Sequence, residues 1–119
     1  MANKRMLMRE LLRTDNYLSL TARAQTLYIA LLMEADDEGI VANPENVRLS
    51  HRARKGDLAL LEEKGYIFFF SSGKLFITHW WTHNTIRKDR FVPSIHRVEA
   101  DYIRYSDPRP VGYPEFLIP

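Results

Sequence analysis

Cysteine is absent from this 119-residue chain, which excludes a disulfide framework, a thiolate nucleophile and cysteine-ligated zinc together. No run of about 18 apolar residues occurs, so no membrane-spanning helix is expected. Charges at Lys4, Arg5, Arg9 and Arg13 interrupt the apolar stretch that a signal peptide needs. Both absences point to a soluble cytoplasmic protein without a membrane partner. A glycine-rich phosphate loop, a nucleophile elbow and paired carboxylates in an apolar setting are also missing, so no catalytic mechanism can be named. The chain is therefore expected to be non-enzymatic and to use no cofactor. Excess charge of either sign is scarce, with 17 basic against 15 acidic residues and a net charge of +2.

That small excess is unevenly spread. Basic residues cluster at Lys4/Arg5/Arg9/Arg13, at Arg48/Arg52/Arg54/Lys55 and at Arg87/Lys88/Arg90, while Glu34, Asp36, Asp37 and Glu38 concentrate acid in one short stretch. Such a distribution predicts a polarised field, set against the plainer alternative of scattered solvated charge.

The length and a hydrophobic content of 45% fit one domain around one core. Asn3 is placed to cap a helix over residues 4–13, where Leu7, Met8, Leu11 and Leu12 recur at helical spacing, with a break at 14–16. Thr21 caps the clearest helix, which runs to about Ala35 and sets Ala24, Leu27, Tyr28, Leu31 and Leu32 on one face. Residues 40–42 suit a short strand. Asn43-Pro44 reads as the cap and first residue of a helix to Leu49, followed by a turn over 50–53. The next helix ends at Lys64 before Gly65, has Leu58 and Leu61 inward and takes Asp57 as its plausible cap. Residues 66–70 and 75–79, joined by Ser71-Ser72-Gly73-Lys74, read as a β-hairpin. One short helix fits within 94–105. Pro108, Pro110, Pro114 and Pro119 predict an extended tail from about 107. The expectation is an α+β, mainly α fold: a winged helix-turn-helix domain over 1–95 with its hairpin as the wing, then a C-terminal extension over 96–119.

In a helix-turn-helix the second helix enters the major groove by its N-terminal end, while the wing and flanking cations hold phosphates. This assigns duplex DNA contact to Arg48, His51, Arg52, Arg54 and Lys55 at the motif, to Lys74 on the wing and to Arg87, Lys88 and Arg90 behind it. Solvated turn cations are the alternative. The outward side of that helix is read as Asp57, Ala59, Glu62 and Glu63, so recognition is expected to be largely electrostatic. The run HWWTHNTIRKDRF over 79–91 combines aromatic, amide and basic groups. Its Trp80, Trp81, Ile86 and Phe91 are core or interface anchors, since large aromatics bury their area first. Its basic half binds phosphate or pairs with an acidic surface such as 36–38 of a second copy. A metal site built on His79, His83 and the acidic stretch is a weak reading, because neither the zinc-protease nor the calcium-loop spacing is present.

KRM near the start, ARAQTLYIALLMEADDEGIVANP, LLEEKGYI ahead of the hairpin, and HWWTHNTIRKDRF make the chain resemble the N-terminal domain of phage replisome organisers, over about residues 3–95. The resemblance implies a winged helix, phage- or prophage-encoded, working in the bacterial host cytoplasm. Its implied role is to bind double-stranded replication-origin DNA and to bring in host helicase-loading proteins. The family is similar in outline to DnaD-type primosome proteins, whose N-terminal domains self-associate, so a homo-oligomer is expected. A self-association or partner-docking module with little direct DNA contact is the alternative.

Overall fold

Helix α3 (Ala22–Glu34) is the spine of the structure, a computed structural model that describes residues 3–119. The Thr21 hydroxyl accepts the Ala24 amide at 3.1 Å and satisfies one of the orphan donors of the first turn. The apolar face of α3 is fully buried at Leu27, Tyr28, Leu31 and Leu32, each side chain contributing about 1.5–3 kcal/mol. It packs against α4 (Pro44–Ser50) and α5 (Lys55–Glu63). Asn43 caps α4 by accepting the Asn46 amide, with Pro44 at the first helical position where its missing N–H costs nothing.

Strands β1 (Ile40–Val41), β2 (Ile67–Phe69) and β3 (Leu75–Ile77) form an antiparallel sheet in the order β1-β3-β2. The register aligns Ile40, Phe76 and Phe68 in one row, with Val41, Leu75 and Phe69 in the next. Neighbouring rows point to opposite faces, and every residue of β3 is buried, so both faces are covered. Tyr102, on α7 (Arg97–Arg104), stacks on Phe68 at 5.8 Å and places that helix over the Phe68 side. The architecture is α+β and mainly helical.

Around the spine, Tyr17, Tyr28 and Tyr66 meet edge to face at 5.3–5.8 Å between ring centroids. This favoured geometry fixes α2 (Asp15–Leu18) and the start of β2 onto α3. Residues 96–119 share the same core, with Ile103 and Leu117 buried in it.

Three expectations change. The helix over 4–13 reduces to one turn, α1 (Arg9–Leu12), without a side-chain cap, and Asn3 caps nothing. Residues ahead of it are pulled out of a helix by distant acceptors: the Met6 amide donates to Asn84 Oδ1 at 3.0 Å and the Met8 amide to His83 Nδ1 at 2.8 Å. The break at 14–16 is instead the start of α2, because the Thr14 hydroxyl caps it through the Tyr17 amide. The tail from 107 is not wholly irregular, since Leu117 enters the core through a 3-10 turn over Glu115–Leu117.

Candidate nucleic-acid interface

The turn joining α4 to α5 brings the first group of candidate residues together. α4 closes at His51, and Arg52 takes a left-handed conformation (φ 55°) that redirects the chain. Ala53 then dips into the core. Arg48 holds this shape from inside: Nη1 donates to the Ala53 carbonyl at 2.9 Å, and Nε and Nη2 reach the Glu45 carboxylate. Its side chain is only 12% exposed, so Arg48 braces the turn rather than facing outward.

Helix α5 begins at Lys55, not at Asp57. Arg54 is its N-cap, and Asp57 sits at the third position, where its carboxylate accepts the Arg54 amide at 2.7 Å. Asp57 also pairs with Arg23 of α3 at 3.3 Å and is buried, which removes it from the outward side expected for it. Ala59, Glu62 and Glu63 are exposed on that side. Four exposed side chains therefore crowd the start of α5: His51, Arg52, Arg54 and Lys55. Among the described residues none of them has an ion-pair partner. Arg54 and Lys55 stand at the positive end of the α5 dipole, at a cost of about 0.3–1 kcal/mol each that an adjacent phosphate would relieve.

On the hairpin, Lys74 is half-buried. Its Nζ lies 3.5 Å from Glu99 of α7, which draws it back from the tip.

The segment 79–91 divides by burial. Helix α6 (Trp80–His83) is a single turn whose two tryptophans are buried. Trp80 Nε1 donates to the Asp37 carbonyl at 2.9 Å, and Arg5 lies 5.0 Å above its ring. Gly39, at φ 79°, faces this indole so closely that a Cβ there would come within 2.6 Å of Trp80 Cγ. Trp81 packs edge-on against Tyr113, and Phe91 against Phe116, tying the tail to this segment. Ile86 and Phe91 are half-buried against the core. Arg87, Lys88 and Arg90 are exposed, and only Arg87 has a partner among the described residues, Asp89 at 3.0 Å. Arg87 and Arg90 line a cleft of about 430 Å³ with Lys4 of the N-terminal arm.

The acidic stretch behaves quite differently from a surface patch, because Asp37 and Glu38 are buried. Asp37 accepts Arg5 Nη1 at 3.0 Å and the Val92 amide at 3.0 Å through separate carboxylate oxygens. Asp36 accepts the Glu38 and Ile40 amides on one oxygen and the Ser94 hydroxyl, at 2.6 Å, on the other. Glu38 takes the Ser94 amide at 2.8 Å, with Arg97 and Arg104 of α7 at 3.5 and 3.8 Å. Burial pushes the Glu38 carboxyl up, against the pull of the Ser94 amide, Arg104 and Arg97. These acids bind the arm, the 92–94 loop and α7 to one point, so they cannot receive the basic group of a second copy. Sequence reasoning missed this hub, because its partners Arg5, Ser94, Arg97 and Arg104 lie far from the acids along the chain.

Among the described residues no three His, Asp or Glu side chains come together as a metal site, and His79 and His83 do not gather with the acidic stretch in one. His83 Nδ1 accepts the Met8 amide, so Nε2 carries the proton and donates to Tyr28 Oη at 2.8 Å. Burial, and then His79, pushes the His83 pKa down to about 4. Comparison with family models, with characterised proteins and with solved structures gives no match.

Proposed function

We propose that this chain is a winged-helix protein that binds double-stranded DNA in replication initiation, in the manner of a phage replisome organiser. α4 and α5 are the helix-turn-helix, β2 and β3 the wing, and β1 the third strand beside it. The observation that carries this reading is the exposed group His51, Arg52, Arg54 and Lys55 at the start of α5, with no ion-pair partner among the described residues. The element meant to enter the major groove thus presents its cations at its N-terminal end. Support comes also from the segment 79–91, which buries both tryptophans and leaves Arg87, Lys88 and Arg90 outside. Acidic Glu62 and Glu63 further along α5 argue for electrostatic rather than base-specific readout. Arg48 and Lys74 are engaged within the chain and drop from first to second rank as contacts.

Titration of labelled origin and random duplexes across salt tests the proposal. Contact through the turn alone predicts a slope of log affinity against log salt near about −3, steepening toward about −5 where Arg87, Lys88 and Arg90 join. Absence of duplex binding at low salt overturns it. The second reading, an assembly module, is favoured by the exposed apolar side chains Val98 and Tyr102 of α7.

A further inference from the structure

The cleft lined by Lys4, Arg87 and Arg90 lies between two segments far apart in the sequence, and its depth and its rim are charged in different ways. In the depth the polar groups are already engaged. Arg5 and Asp37 pair there with side chains each 4% exposed. Arg5 also donates to the Ala35 carbonyl at 2.8 Å, and Asp37 accepts the Val92 amide on its second oxygen. Asn84 accepts the Met6 amide and donates to the Trp80 carbonyl at 3.4 Å. The rim is the reverse. Lys4 reaches it from the arm, Arg87 and Arg90 from the segment beyond α6, and all three are exposed. Among the described residues Lys4 and Arg90 have no ion-pair partner, and Arg87 has only Asp89, in a pair so open (71% and 61% exposed) that it contributes little. The acid that lines the cleft, Asp37, is neutralised by Arg5. Three cations therefore share one hollow without a free acid beside them.

Shape and charge select the ligand. A duplex carries its phosphates on a convex rod, which can lie across the rim but cannot enter a cleft of about 430 Å³, a size that suits a small molecule. A phosphate that ends a molecule can enter. Such a phosphomonoester carries a charge of about −1.5 to −2 and three strong acceptor oxygens, enough for three cationic donors, whereas a backbone phosphate of DNA carries a single charge. The wall beside the cations is apolar, formed by Met6, 47% exposed, and half-buried Ile86. A thioether is soft and polarisable and packs well on an aromatic ring, which favours a nucleobase as the organic group.

We propose that this cleft binds a nucleotide phosphomonoester, with the terminal phosphate held by Lys4, Arg87 and Arg90 and the base against Met6 and Ile86. A free nucleoside monophosphate and the 5′-phosphorylated end of a single strand share this chemistry. Either one bridges the N-terminal arm and the segment beyond α6. The inference does not rest on duplex binding at the start of α5.

Isothermal titration of the full chain at low salt with thymidine monophosphate, thymidine and inorganic phosphate tests it. The monophosphate is expected to bind at least about tenfold more tightly than either of its parts. Lys4→Ala/Arg90→Ala is expected to weaken it by at least about tenfold with an unchanged thermal midpoint, since both side chains are exposed and unpaired. Short single strands with a 5′-phosphate or a 5′-hydroxyl separate the two sources: a phosphorylated strand that binds more tightly than the monophosphate assigns the cleft to a strand end, and one that binds equally or less assigns it to the free nucleotide. Bridging has its own readout, because hydrogen exchange of the Met6 and Met8 amides, which hold the arm to Asn84 and His83, is expected to slow on binding. The proposal is overturned if neither monophosphate nor phosphorylated strand binds, if inorganic phosphate binds as tightly as the nucleotide, if the double variant binds like the wild type, or if exchange at Met6 and Met8 is unchanged with ligand bound. No probe here is a duplex, so failure of the duplex reading and failure of this one are told apart.

Discussion

Two charge-rich regions of this protein are built in opposite ways. In the hub, Arg5 and Arg104 converge on Asp37 and Glu38 and are held within the fold, while Arg97 reaches Glu38 from the exposed rim. At the start of α5, Arg52, Arg54 and Lys55 project outward with no ion-pair partner among the described residues. Composition treats the two groups alike, yet burial decides their roles. A buried cation must be paired to offset its desolvation, whereas an exposed one keeps its water and remains available to an outside anion. Hub charges hold the arm, the 92–94 loop and α7 in place, and turn charges are left for a partner.

The contrast can be broken most severely at Asp37. Asp37→Ala strands Arg5, whose side chain is only 4% exposed, and an unpaired buried charge costs about 3–5 kcal/mol. Detachment of the arm caps this loss near the lower value, so chemical denaturation is expected to show about 3 kcal/mol less stability, with early proteolysis near residues 4–8. Gly39→Ala follows, because the new Cβ meets Trp80 at 2.6 Å and the backbone is left-handed there; a loss of about 2–3 kcal/mol is expected by the same denaturation measurement. Arg48→Ala sharpens the comparison from within the basic cluster itself. It should lower stability by about 1–2 kcal/mol through the lost Ala53 and Glu45 contacts, while duplex affinity changes little, as a paired melt and binding titration would reveal.

The last effect is on pH dependence. His83 has a folded-state pKa pushed down to about 4 against an ordinary value of 6.5. The unfolded chain therefore takes up the proton first, so stability from this site is full above about 6.5 and declines as the pH falls toward 4. Glu38 acts in the opposite sense, since its raised pKa contributes stability at the acid end that is lost as the pH rises. Comparing wild type with His83→Gln isolates the histidine: the variant is expected to have a flatter stability profile between pH 6.5 and 4, and an unchanged profile would reject this role.

Much of the scaffold was legible because its signals are local. Thr21, Asn43-Pro44 and the turn at Ser71–Lys74 act on neighbours a few residues away, and α3, α4 and the hairpin lie where those residues put them. What escaped depends on distant partners. Residues 4–8 have a helical pattern, but Asn84 and His83 take their amides. Asp36, Asp37 and Glu38 look like surface acids until Arg5, Ser94 and Arg97 arrive from both ends of the chain. Asp57 resembles a cap, yet it works three residues inside, where it can also reach Arg23. In α7, Ala100 and Ile103 are buried while Val98 and Tyr102 are exposed, so apolar residues occupy both the core side and the solvent side of the helix. Of the candidate site, the exposed cations of the turn were readable as charge, but the separation of Arg48 from Arg54 required the Ala53 carbonyl.

The division between bound and available cations is tested most directly by the salt dependence of duplex binding, measured for the wild type and for Arg52→Ala/Arg54→Ala/Lys55→Ala. The triple variant is expected to keep the wild-type thermal midpoint and to lose about 3 from the magnitude of the salt slope. An unchanged slope, or a variant that unfolds, would contradict the assignment of these residues to an outside partner.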